Sequence, residues 1–236
     1  GTITSSVSAN TDAGFSIVSY TGNETSGATV GHGLTEAPEW ILFKNRTSSS
    51  LNWLVYHKYN KSSAGAGDGH QRSLILNTTA TGASESSMLN NTAPDNSVIT
   101  LGSAQGSNGS TTMIAYCWHS VEKFSKFGTY EGTGTADGSF VHLGFTPSLI
   151  ICKNIDAGNG WTMFDTTRDP SNDNDQHALF ANDAGPETGG YNIDLLSNGF
   201  KHRDNSGDHN SSSTFVYMAF AESPFGGENA PPATAR

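Results

Sequence analysis

Tyr20 and Tyr130 stand inside the same run of residues, met twice. Around the first the chain reads Ser19-Tyr20-Thr21-Gly22-Asn23, and around the second Thr129-Tyr130-Glu131-Gly132-Thr133. Three more blocks follow each in the same order. Val30-Gly31-His32-Gly33-Leu34 is matched by Val141-His142-Leu143-Gly144-Phe145. Pro38-Glu39-Trp40-Ile41-Leu42-Phe43-Lys44-Asn45 is matched by Pro147-Ser148-Leu149-Ile150-Ile151-Cys152-Lys153-Asn154. Asn52-Trp53-Leu54-Val55-Tyr56-His57 is matched by Gly160-Trp161-Thr162-Met163-Phe164-Asp165. A last pair, Asn108 to Trp118 and Asn210 to Phe220, closes the series. Ordered recurrence of this kind points to a duplicated unit of roughly 105 residues, each copy building its own core.

The composition decides what that unit is made of. Ser, Thr, Asn and Gly supply 102 of the 236 residues and charged residues only 14%. Such residues are poor in helix interiors, so a helical protein is excluded. Four Trp, seven Tyr and twelve Phe argue against a solvated, disordered chain. They lie in strand-sized apolar runs bounded by Gly, Pro, Asn and Ser, such as Trp40 to Phe43, Leu149 to Cys152 and Phe215 to Phe220. The expected fold is all-β, two tandem and similar β-sandwich or jelly-roll-like units. Strands are expected near 15–20, 40–44, 53–57, 73–76, 98–101 and 113–118, then near 127–130, 149–153, 161–165, 177–180, 199–202 and 215–220. The expected domains are an arm or linker at 1–13, a first unit at 14–126, a second at 127–222 and an extended tail at 223–236.

A formal net charge of -10 disfavours binding to a nucleic-acid backbone. Residues 1–127 carry 8 acidic and 7 basic side chains, and residues 128–236 carry 14 and 5, so the second unit holds nearly all of the excess. No apolar run approaches the ~20 residues that span a bilayer, and the chain is read as soluble with no membrane partner. Cys117 and Cys152 both fall in apolar runs and read as buried free thiols.

The recurring Trp53 and Trp161 are the aromatic candidates for ligand binding. Each shares its strand face with Val55 or Met163, which favours packing over a sugar-stacking platform. The run Asp169-Pro170-Ser171-Asn172-Asp173-Asn174-Asp175 gathers the oxygen ligands that Ca²⁺ prefers, and Asp169, Asp173 and Asp175 are its candidate metal ligands. The run lacks the glycine and terminal glutamate of an EF-hand loop, and an Asx-rich turn is the simpler reading. His202, Asp204, Asp208 and His209 cluster in a hairpin turn, a weak transition-metal pattern. No Gly-x-Ser-x-Gly elbow is present, and no strand pattern places two carboxylates on one inward face. The chain is therefore read as no enzyme, with no catalytic residues and no required cofactor.

These blocks, with Gly14-Phe15-Ser16-Ile17-Val18 before them and Asp194-Leu195-Leu196-Ser197-Asn198-Gly199-Phe200 and Tyr217-Met218-Ala219-Phe220-Ala221-Glu222 after, resemble a repeat in virion structural proteins of marine tailed bacteriophages, including cyanophages. The resemblance spans about residues 14–225. It implies a lectin-like β-sandwich on the virion surface, outside cells, in a tail fibre or head-surface element. It also implies a homo-oligomer, as in trimeric fibres, with other virion proteins as partners and host surface glycans as a contact for host attachment. Two alternatives stand beside it: a secreted carbohydrate-active enzyme or carbohydrate-binding module, and a purely structural self-assembling subunit.

Overall fold

A computed structural model of the chain describes residues 1–61 and 68–222. The chain divides into two compact units at His119/Ser120. Among the described residues, unit 1 holds β1 (Ser5–Asn10), β2 (Phe15–Thr21), β3 (Ala28–Gly31), β4 (Trp40–Asn45), β5 (Leu54–His57), β6 (Arg72–Ile75), β7 (Ala83–Ser84), β8 (Val98–Leu101) and β9 (Thr112–Trp118). A 3₁₀ turn at Gly69–Gln71 and one helical turn, α1 (Gln105–Asn108), complete it. Unit 2 holds β10 (Ser125–Glu131), β11 (Phe140–His142), β12 (Pro147–Asn154), β13 (Trp161–Asp165), β14 (Gln176–Phe180), β15 (Thr188–Tyr191), β16 (Ile193–Leu196), β17 (Gly199–His202) and β18 (Thr214–Ala221). No helix among the described residues is long and apolar enough to cross a membrane.

Each unit is an antiparallel β-sandwich with one large and one small sheet. In unit 1 the large sheet runs β1-β2-β9-β4-β5-β6-β7 and the small one is β3-β8. Along β2 burial alternates strictly, with Ser16, Val18 and Tyr20 inward. This period of two follows from side chains pointing to opposite faces of a pleated strand. Val18 and Tyr20 join Ile41, Phe43, Met113 and Ala115 from the large sheet, and Val30, Ile99 and Leu101 from the small one, in a single core. Unit 2 repeats the plan, its large sheet running β10-β18-β12-β13-β14-β15 and its small one β11-β17-β16. Tyr130, Ile150, Phe200, Phe215 and Tyr217 lie at the centre of its core.

The residues that recur in the sequence sit at the same register in both sheets. Tyr20 pairs with Met113 and Tyr130 with Phe215. Asn45 pairs with Met113 and Asn154 with Phe215. In the small sheets, Val30 pairs with Ile99 and Val141 with Phe200. Polar groups that burial would otherwise leave unsatisfied are also met in the same way. The Tyr20 hydroxyl donates to the Ser107 carbonyl and the Tyr130 hydroxyl to the His209 carbonyl. Asn45 Oδ1 accepts the Thr47 and Ser48 N–H groups, and Asn154 Oδ1 those of Asp156 and Ala157. Gly22 and Gly132 pass so close to the next loop that a Cβ would lie 2.2 Å from the Gly109 carbonyl oxygen and 2.0 Å from that of Ser211. Matching contacts of this kind stand at buried positions of both units.

Two expected boundaries move. Residues 5–10 are not an arm, because β1 pairs along its length with β2 and extends the unit 1 sheet by one strand. The limit between units falls at 119/120 and not at 126/127, a position that lies inside β10. The expected C-terminal tail at 223–236 lies outside the described residues.

Candidate functional site

Unit 1 opens a cleft of about 330 Å³ where β5 ends. The chain turns sharply after His57: its Nδ1 accepts the Tyr59 N–H at 3.1 Å and its carbonyl accepts the Asn60 N–H at 2.9 Å. This turn carries Tyr59 outward, half-buried, beside the fully buried Tyr56. Gly69 lets the following 3₁₀ turn lie against it, since a Cβ there would stand 2.4 Å from the His57 carbonyl oxygen. Pro38 and Pro94 join the two tyrosines in an apolar wall, and Lys58, Lys61, Asp68 and His70 form a polar rim.

The rim charges are already paired. Lys58 Nζ lies 3.0 Å from Glu39 and 5.6 Å from the Tyr59 ring, and that hydrogen bond to Glu39 raises its pKa. Lys61 and Asp68 are 3.1 Å apart. Among the described residues Asp68 is the carboxylate that lines the cleft. A second carboxylate, Glu39, stands behind Lys58 on the rim. What the cleft offers is stacking surface with N–H and O–H donors around it.

The thiols offer no nucleophile. Cys117 and Cys152 are free and fully buried, and burial pushes each up to about 12, so the thiolate is not formed near neutrality.

The two tryptophans part company. Trp161 is 0% exposed, whereas Trp53, just ahead of β5, is half-buried with Lys44 Nζ 5.9 Å from its ring centre. Neither belongs to the core between the two sheets of its unit. They lie on the other face of the large sheet, with Val55 or Met163, because Tyr56 and Phe164 take the inward positions. Neither tryptophan lines the cleft.

The acidic loop is organised by its own backbone. Asp169 accepts the His177 N–H at 2.7 Å and faces the His177 imidazole at 3.3 Å. Asp173 accepts from the Ser171 hydroxyl and the Asp175 N–H, and Asp175 accepts the Gly190 N–H at 2.7 Å. Among the described residues no three His, Cys, Asp or Glu side chains are gathered as a metal site. These bonds are those of an Asx-rich turn. With the carboxylates so occupied, melting temperature should not rise in millimolar Ca²⁺. A rise that Asp173→Ala with Asp175→Ala removes would assign the ion to this loop.

Sequence reasoning missed the cleft. Pro38, Tyr59, Asp68 and Pro94 come from four separate segments, and only the pairing of β4 with β5 and the turn after His57 bring them together. No curated protein and no solved structure matches the chain. A family model described as Domain of unknown function (DUF7483) matches residues 1–224, and the chain belongs to that family.

Proposed function

We propose that the chain is a non-enzymatic binding module of a phage virion appendage, a fibre or surface decoration that meets host surface glycans through the unit 1 cleft. One observation carries this reading: a tyrosine and proline wall is set beside a carboxylate that Lys61 already engages. A sugar ring presents C–H faces that stack on tyrosine, and hydroxyls that accept from lysine and histidine. Because Lys58 and Lys61 are each paired with a carboxylate, the rim offers hydrogen-bond donors to saccharide hydroxyls more than net positive charge. The resemblance of the repeated blocks to marine phage virion proteins supports the surface location, and oligomerisation with other virion proteins rests on that resemblance alone.

Binding belongs to unit 1 in this reading. By the register that pairs His57 with Trp40 and Asp165 with Leu149, Lys58 and Tyr59 correspond to Thr166 and Thr167. Unit 2 therefore has neither the ring nor the cation at that place. Screening the chain against immobilised acidic and neutral saccharides should find ligands whose affinity falls at least tenfold in Tyr59→Ala. Binding that is unaffected by Tyr59→Ala would move the site elsewhere. Release of reducing ends from a bound saccharide would favour the carbohydrate-active enzyme. Concentration-dependent assembly with no saccharide binding would favour the purely structural subunit.

A further inference from the structure

Unit 2 buries two histidines in contact with each other. His202 ends β17 and His209 lies in the turn before β18; both are 0% exposed. Their rings are stacked at 4.8 Å and 11°. Tyr130 and Phe200 lie against His202 at 5.0 and 5.3 Å, and Phe164 and Tyr191 against His209 at 5.3 and 5.5 Å. Of the four ring nitrogens one has a hydrogen-bond partner: His209 Nε2 donates to Asp204 Oδ1 at 2.7 Å. His209 Nδ1 and both nitrogens of His202 are buried without a partner among the described residues. A proton added to either ring would be an unpaired buried donor, and two protons would set like charges face to face.

The turn that carries His209 fastens much of unit 2. The His209 carbonyl accepts from Tyr130 of β10, and Asn210 Oδ1 from the Thr133 N–H. Asp208 accepts the Gly160 N–H ahead of β13 and the Tyr191 hydroxyl of β15. Unit 1 closes its equivalent turn without imidazoles. Gly27 N–H donates to Leu101 as Gly138 N–H does to His202, and Tyr20 reaches Ser107 as Tyr130 reaches His209. Leu101 and Ser107 therefore hold the two histidine places.

We propose that the His202–His209 stack is an acid-operated latch, holding the turn 203–213 closed while both rings are neutral and releasing it when they take up protons. Burial holds His202 well below the ordinary imidazole range and His209 down at about 4. An unfolded histidine titrates near ~6.5. The open state thus binds more protons between about 6.5 and 4, and the latch's stability, full above that window, is lost as pH falls through it.

The neighbouring groups do not reverse the sign. Asp204 and Asp208, on the same turn, favour the charged form of His209, but burial outweighs them. The elements packed around bring Tyr130 and Tyr191, both neutral in this range, and from β12 the neutral Cys152 and the cationic Lys153. Lys201 and Arg203 are held by Asp137 and Asp194. Unit 1 has a buried imidazole of its own in His32, also shifted down. Its nitrogens are both engaged, one with the Asp95 carbonyl and one with the Leu34 N–H, and burial first, with His119 adding to it, lowers its pKa.

Hydrogen exchange on the full chain at pH 7.5 and 4.5 tests the latch. Protection in 125–135 and 199–221 should fall at least tenfold more than in 15–25 and 98–118. His202→Leu with His209→Ser, the residues unit 1 uses, should abolish that excess. Equal losses in the two units, or an excess that survives the double variant, would overturn the proposal. Should the double variant fold poorly, the imidazole resonances of the unaltered chain decide: titration of either ring near its ordinary value with unit 2 still closed is equally fatal.

Discussion

Replacing Trp161 with alanine should destabilise unit 2 by about 3–5 kcal/mol, the cost of removing a buried indole and leaving part of its volume empty. Trp161 heads the fully buried side chains by volume. The surrounding backbone has little freedom to collapse into the gap. The Trp161 N–H donates to Asn182 Oδ1 at 2.6 Å, and its carbonyl accepts the Ala181 N–H at 3.1 Å. Trp53→Ala should cost less, about 1–2 kcal/mol, because a half-buried ring withdraws less apolar area from water and leaves no sealed cavity. Urea denaturation of the two variants, followed by hydrogen exchange in each unit, measures the difference. Equal costs would mean that Trp53 is as enclosed as its counterpart.

All twelve strands expected from the sequence are present, with ends displaced by no more than two residues. They were legible because each carries aromatic or β-branched residues that a sandwich must bury, and because most lie in blocks met twice. Six strands escaped among the described residues: β3, β11 and β16 carry Val30, Phe140 and Ile193 but run to only three or four residues, and the other three are built mostly of small or polar residues. β1 is Ser-Ser-Val-Ser-Ala-Asn and is exposed along nearly its whole length; it is held by its pairing with β2 and not by burial. β15, Thr-Gly-Gly-Tyr, looks like a loop, and β7 is two residues long. A run this polar becomes a strand only because a neighbour's edge is open to it, which is information held in the topology.

The face of a strand was easier to read than its surroundings. The expected alternation set Val55 and His57 against Leu54 and Tyr56, and of these Leu54 and Tyr56 reach the core between the sheets. It could not tell that the first set faces away from the core between the sheets, since both faces of this strand are apolar. For the acidic loop, composition counts carboxylates but does not show that Asp169, Asp173 and Asp175 each accept an N–H of the surrounding backbone. The two histidines of the turn looked like a poor metal motif, and nothing in their spacing disclosed that the rings are stacked.

Changing Asn108 or Asn210 to aspartate should be nearly as damaging as the loss of Trp161, although one atom changes. Asn108 is fully buried at the end of α1; its Oδ1 accepts the Asn23 N–H at 3.0 Å, and its Nδ2 donates to the carbonyls of Gly102 at 2.7 Å and Thr25 at 3.2 Å. Asn210 does the same for Thr133, Thr135 and Asp204. A carboxylate of the same shape keeps the acceptor, loses both donors and turns a charged oxygen toward two carbonyl oxygens. Leaving an uncompensated charge buried costs about 3–5 kcal/mol at neutral pH. The pH dependence identifies the cause. Burial and the facing carbonyls raise the new carboxyl's folded pKa above its unfolded value of about 3.9, so the folded state binds the extra proton. Relative to the unaltered chain, the Asn108→Asp deficit should therefore shrink as pH is lowered from 7 toward 4, because protonation restores a neutral group with one donor. A deficit independent of pH would mean that the lost hydrogen bonds alone, and not a buried charge, weaken the loop. A deficit below 1 kcal/mol would mean that the loop reorganises and that this asparagine is not what closes unit 1.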